Sequence, residues 1–164
     1  MIMWPIPAFG SMNKLIPSFA QAISRAEGLY VKGSVPARIN NPGDLKLGDI
    51  GFGILPSGIT IYPTFEQGCR ALYRQLDLIL TNTSHEYNTS MNFSQIARIW
   101  TGNNNPISWA AIVSKSLNVF PDTTVQSWMS NHASNKEIEI SFIGLNPDSQ
   151  GVYSDVVQLT RIKA

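Results

Sequence analysis

Glu27 is followed directly by a glycine and, a short stretch later, by Arg38-Ile-Asn-Asn-Pro-Gly-Asp-Leu-Lys46. What precedes this carboxyl gives it the means to do acid chemistry. Ile16, Phe19, Ala20 and Ile23 recur at three- and four-residue intervals, so Glu27, four beyond Ile23, falls on the same helical face. Gly28 then accepts the left-handed conformation common at helix C-termini, which places Glu27 at a helix end beside a loop. Apolar neighbours disfavour its ionised form and raise its pKa, the condition a general acid needs near neutral pH. The alternative is a surface glutamate in a frayed last turn, or one paired with Arg25 or Arg38.

Composition narrows the chemistry. At 164 residues and 43% apolar content the chain can bury a core as one compact domain with an appendage. Twelve basic side chains nearly balance eleven acidic ones and are scattered, so there is no basic field to track phosphates and nucleic acid is not an expected partner. The polar complement is rich in Asn, Ser and Thr, with four Trp and five Tyr, which suits neutral, polyhydroxylated ligands. Cys69 is the only cysteine; it lies in a helical pattern and reads as a small core residue. His85 and His132 are isolated, without metal-ligand spacing, so neither a metal nor a cofactor is expected. No apolar run is long enough for stable membrane insertion. The apolar N-terminal arm, residues 1 to 12, lacks a basic leader and is broken by Pro5 and Pro7; it does not read as a signal peptide.

The elements that must position Glu27 follow from periodicity and punctuation. Thr64 with Gln67 has the form of a capping box, ahead of a stripe through Phe65, Cys69, Leu72, Leu76, Ile79 and Leu80. Asn92 with Gln95 repeats the pattern before Phe93, Ile96, Ala97 and Trp100, and Thr101 to Pro106 breaks that helix. Trp109, Ile112, Val113 and Leu117 mark a further helix, and Asp122 is a candidate cap for a last one carrying Val125, Trp128 and Met129. Between residues 39 and 62, glycines at 43, 48, 51, 53 and 58 predict a small β-wing. Alternation in Glu137 to Ile143, a turn-rich Gly144 to Gly151 and a partner strand in Val152 to Ile162 predict a C-terminal hairpin. The expected class is α+β, predominantly α, with a domain over residues 13–132 and an extension over 133–164.

This order of elements resembles the lysozyme-like superfamily, in particular phage and bacterial lytic transglycosylases and endolysins. The matching residues are Ala26-Glu27-Gly28, Arg38 through Lys46, Tyr62-Pro-Thr-Phe-Glu-Gln-Gly68 with Ala71-Leu72, and Ile99-Trp100-Thr101 before the Asn103 to Pro106 turn. The likeness covers about residues 13 to 130 and implies a lysozyme-like helical domain. It also implies cleavage of the β-1,4 bond between N-acetylmuramic acid and N-acetylglucosamine in peptidoglycan glycan strands, with Glu27 protonating the leaving oxygen. A second carboxylate would make such an enzyme a hydrolase, or muramidase. Asp44, Asp49 and Glu66 are the candidates, but the Asp and Thr that follow the acid at short spacing in lysozymes are absent here. Asp44 stands where related sequences often accept Asn. The resemblance therefore favours the transglycosylase route, in which the substrate's N-acetyl group assists and its C6 hydroxyl attacks.

Further substrate-binding candidates are Tyr30, Asn40, Asn41, Asp44, Tyr62, Thr64, Gln75 and Trp100. Each has a structural alternative: Asn40 and Asn41 as fasteners of the turn, Thr64 as a helix cap, Trp100 as core, Tyr30 packed on the wing. Two rival functions remain. One is a cysteine peptidase using Cys69 with His85 or His132, which Cys69's apolar stripe argues against. The other is a non-catalytic wall-binding virion protein. The lack of a credible signal peptide points to a phage product acting on the host wall or carried in the particle, where the C-terminal hairpin could contact other virion proteins.

Overall fold

The computed structural model of the protein describes residues 13–46, 52–133, 138–147 and 153–162, the last two as backbone only. Asp49 and the N-terminal arm lie outside the described residues. The fold is mainly helical with small antiparallel sheets. Helix α1 (Ile16–Ala26) buries Ile16, Phe19, Ala20 and Ile23, the face that the sequence period selects. A one-turn helix α2 (Val35–Arg38), not expected from periodicity, follows Ser34, whose hydroxyl accepts from the Ala37 amide at 3.4 Å. Ser34 with Pro36 just inside the turn was its signal.

The wing is a minimal hairpin of β1 (Gly53–Ile54) and β2 (Thr60–Ile61), antiparallel with Gly53 opposite Ile61. Helix α3 (Phe65–Leu80) begins at Thr64, whose hydroxyl accepts from the Gln67 amide at 3.2 Å. Its Gly68 lets the first turn lie directly on the loop, because a Cβ there would meet the Asn40 carbonyl oxygen at 1.8 Å. Helix α4 (Phe93–Trp100) carries the complete Asn92/Gln95 capping box, and α5 (Pro106–Ser116) follows the Asn-rich turn. On α5, Trp109 and Val113 are buried as expected, whereas Ile112 is exposed. Helix α6 (Val125–Ala133) is capped by Thr124, which accepts from the Ser127 amide at 3.1 Å, and not by Asp122, which is exposed two residues further out. Strands β3 (Ile138–Pro147) and β4 (Tyr153–Ile162) pair antiparallel.

Helix α1 packs on α3 and α5, and α4 on α5. Phe19, Phe93 and Trp128 meet edge to face, with centroids 5.5 to 6.1 Å apart, and tie α1, α4 and α6 into one apolar centre. No helix among the described residues is long and apolar enough to cross a membrane. This packing brings the C-terminal end of α1, the loop of residues 39–46 and the facing ends of α4 and α5 to one place.

Candidate active site

Glu27 is the C-cap residue of α1, with φ −78° and ψ −7°, and its amide donates to the Ile23 carbonyl at 2.9 Å. Gly28 turns the chain away at φ 79°, a conformation that costs glycine nothing. The glutamate side chain is half-buried, and the Trp109 indole N–H of α5 donates to its Oε1 at 2.7 Å. The Asp44 carboxyl lies close enough to act on the glutamate's proton, and the Trp100 ring of α4 lies beside the acid with its indole N–H directed at the loop.

Asp44 reaches this position because the loop is held rigidly. Its backbone is left-handed at φ 47°, a region that Asp and Asn tolerate best among residues with a side chain. Behind it Asn41 is fully buried: its amide donates to the carbonyls of Leu45 at 3.0 Å and Thr60 at 2.8 Å, and its Oδ1 accepts from the Leu45 amide at 2.9 Å. The Trp100 indole N–H donates to the Gly43 carbonyl at 3.1 Å and pins α4 to the loop. Asn41→Ala would strand the Leu45 amide and the Thr60 carbonyl, each costing about 1–3 kcal/mol when left unpaired, while the Leu45 carbonyl keeps its bond from the Thr60 amide. We expect it to lose about 3 kcal/mol in urea unfolding; a loss below about 1 kcal/mol would show that the loop does not depend on this clamp.

The electrostatics follow from this geometry. Burial raises Glu27 to about 7; the Trp109 bond opposes the rise, while the charge of Asp44 and the bond to it add to it. Burial also raises Asp44, to about 6, against the lowering effects of the bond from Glu27 and of Lys46. The directions agree on one arrangement: Glu27 holds the proton and donates it toward an ionised Asp44. One oxygen of that pair, Asp44 Oδ1, is buried without a hydrogen-bond partner among the described residues.

Several sequence-selected residues serve the scaffold. Asn41 has no exposed surface, so it clamps the loop and cannot meet a substrate. Asn40, at φ 57°, donates from its amide to the Tyr62 carbonyl at 3.0 Å and fastens the loop to the wing's exit. Tyr62 is 2% exposed, packed against Phe52 at 5.3 Å between centroids, and is core rather than a cleft wall. Thr64 caps α3. Tyr30 is half-buried beneath the Arg25 guanidinium, 5.4 Å from its ring centre. Gln75 is half-buried on α3 between Leu72 and Leu76. Glu66 is exposed and paired with Arg70 at 2.7 Å, away from any carboxylate role. Of the substrate-binding candidates, Asp44 and Trp100 come to the acid.

Trp109 is the residue that sequence reasoning missed. At helical spacing it reads as core, and it is 4% exposed; its only signal was that a buried indole N–H requires an acceptor. It stacks on Trp100 at 5.9 Å, and Trp100 in turn on Tyr87 at 5.8 Å, which forms an aromatic wall beside the acid. Cys69 is buried and burial pushes its thiol far up, so a thiolate nucleophile is disfavoured; His132 Nδ1 lies 2.9 Å from the Trp128 carbonyl, engaged on its own helix. Among the described residues no group of His, Cys, Asp and Glu is placed to hold a metal ion. No protein-family model, curated protein or solved structure matches this chain, and its functional reading therefore rests on Glu27 and the groups around it.

Proposed function

We propose that the protein cleaves the β-1,4 bond between N-acetylmuramic acid and N-acetylglucosamine in peptidoglycan, in the manner of a lytic transglycosylase with Glu27 as its one catalytic acid. The observation that carries this reading is a glutamic acid at a helix end that keeps its proton to about pH 7 while an indole N–H stands ready to stabilise the carboxylate it becomes. The motif of residues 38–46, the nearly balanced charge and the half-buried Trp100 ring beside the acid support a neutral glycan as substrate. Glu27 gives its proton to the glycosidic oxygen as the bond to C1 breaks and both electrons leave with that oxygen. The substrate's own C6 hydroxyl then bonds to C1, and its proton returns to Glu27.

The contact between Glu27 and Asp44 supports this route over the hydrolytic one. Two-carboxylate glycosidases set their acids about 5 to 9.5 Å apart, on either side of the scissile bond. Here Asp44 acts directly on the proton of Glu27, which suits a neighbour on the same side of the scissile bond better than a partner facing the acid across a sugar. Mass spectrometry of digested peptidoglycan tests the assignment: 1,6-anhydro ends are expected, reducing muramic acid ends would make the enzyme a hydrolase, and no soluble fragments would refute cleavage. Trp109→Phe keeps the ring and deletes the bond to the glutamate. A hydrogen bond to a charged group is worth about 1.5–3 kcal/mol, so turnover should fall about tenfold or more. The same bond favours the ionised form, and its loss should carry the alkaline limit of activity to higher pH. An unchanged pH profile would remove Trp109 from the proposed mechanism.

A further inference from the structure

Asp44 is not needed for a one-acid reaction, yet the structure holds it beside Glu27: Trp109 bonds the acid at 2.7 Å and packs on Trp100 at 5.9 Å, and Trp100 bonds the Gly43 carbonyl, one residue before Asp44, at 3.1 Å. Asp44 takes a left-handed backbone, its amide donates to the Asn41 carbonyl at 3.2 Å, Asn41 is clamped on three sides, and the preceding carbonyl is held by Trp100. An asparagine would suit the same backbone equally well. What an asparagine lacks is the negative charge. We propose that Asp44 is a positioning residue that keeps the proton on Glu27 between turnovers, by accepting the hydrogen bond of the protonated acid and opposing its ionisation. The inference rests on Glu27 being the acid of the proposed reaction.

The charge states show how this works. With Glu27 protonated the pair carries one negative charge, on Asp44; once the proton has gone to the leaving oxygen it carries two, in contact and partly shielded from water. Like charges so placed repel strongly, which raises the affinity of Glu27 for a proton. The carboxylate left after bond cleavage is thus a better base for recovering the proton of the attacking hydroxyl. The forward cost is offset in part by the indole bond from Trp109. The groups acting on the pair from each side are few: Lys46 acts on Asp44 from the loop, α4 and α5 contribute the uncharged indoles of Trp100 and Trp109, and α1 contributes Glu27 itself.

Trp109 supplies a reporter that does not depend on cleavage, because its indole N–H is bonded to Glu27 Oε1. The ¹⁵N–¹H resonance of that indole, assigned by its disappearance in Trp109→Phe, would be followed against pH in the full chain. In the wild type its midpoint should lie near 7, and in Asp44→Asn it should move to lower pH by about one unit or more. The alkaline limit of wall cleavage should move down with it, with KM nearly unchanged. A midpoint that stays in place in Asp44→Asn would overturn the proposal, since asparagine preserves a merely structural role and removes only the charge. A wild-type midpoint in the ordinary glutamate range would overturn it too. Failure of the wild type to release fragments would instead sink the proposed reaction, and the indole titration would still decide whether Asp44 controls the proton.

Discussion

Glu27→Gln is expected to abolish release of soluble fragments from purified peptidoglycan while leaving the protein folded. Glutamine keeps an oxygen for the Trp109 indole to bond but has no proton to give. General acid catalysis contributes about 10²–10⁴-fold, and a loss in that range is the expected result; activity within a few-fold of the wild type would remove Glu27 as the acid. In the wild type, cleavage should decline as pH rises through about 7, where Glu27 loses its proton. The substitution also carries a stability signature of fixed sign. The folded-state pKa of Glu27 is raised, so its contribution to stability is fully present below the ordinary glutamate value and is lost as pH rises through about 7. Glutamine has no such term. Thermal melts should therefore show the stability of Glu27→Gln rising relative to the wild type between weakly acidic and alkaline pH, and a relative stability that stays constant or falls as pH rises would contradict the buried-acid description.

Gly68→Ala is the second large expected effect, and two opposing terms decide its sign. In a helix interior alanine is favoured over glycine by about 1 kcal/mol. Against this, the added Cβ would fall 1.8 Å from the Asn40 carbonyl oxygen and 3.0 Å from Pro42 Cδ. The first obstacle is backbone, on a loop tied by the Ile39–Tyr62 bond at 3.0 Å and by the Asn41 clamp, so it cannot swing aside as a flexible side chain would. Overpacking costs about 1–3 kcal/mol and more where the backbone must move. We expect a net loss of about 2 kcal/mol or more in urea unfolding. Because the strained loop carries Asp44, the indole titration midpoint should shift as well. A variant as stable as the wild type would mean that α3 and the loop are not in the close contact described. By contrast, a Cβ on Gly43 would meet Leu72 Cδ1 at 2.8 Å, the tip of a side chain that can rotate away, and Gly43→Ala should be milder.

The helical elements were legible because their signals are local. The stripe through Ile16, Phe19, Ala20 and Ile23 gave the buried face of α1, and Asn92 with Gln95 gave the start of α4. Where two residues of similar chemistry compete, as Asp122 and Thr124 do before α6, sequence spacing alone chose the wrong cap, since the winner depends on which hydroxyl or carboxyl faces the first free amides. The short α2 was missed because one turn is too brief to show a period.

By itself the sequence determined that an acid ends an apolar helical face next to a glycine-rich loop, for that follows from intervals of three and four residues along one segment. It also determined that Asn40 and Asn41 stand in the loop, without saying whether they face a ligand or the chain. Only the tertiary structure decided that Asn41 is spent on Leu45 and Thr60, and that Asp44, which reads as dispensable in the sequence, touches the acid. It also decided that Trp109, 82 positions from Glu27, supplies the indole bond. Such pairings depend on how α1, α4 and α5 pack, and that is a balance of contacts between segments that no local pattern records. The proton on Glu27 is of this second kind, because helix position exposes the acid to its apolar neighbours and long-range packing supplies the carboxylate and the indole that set its charge.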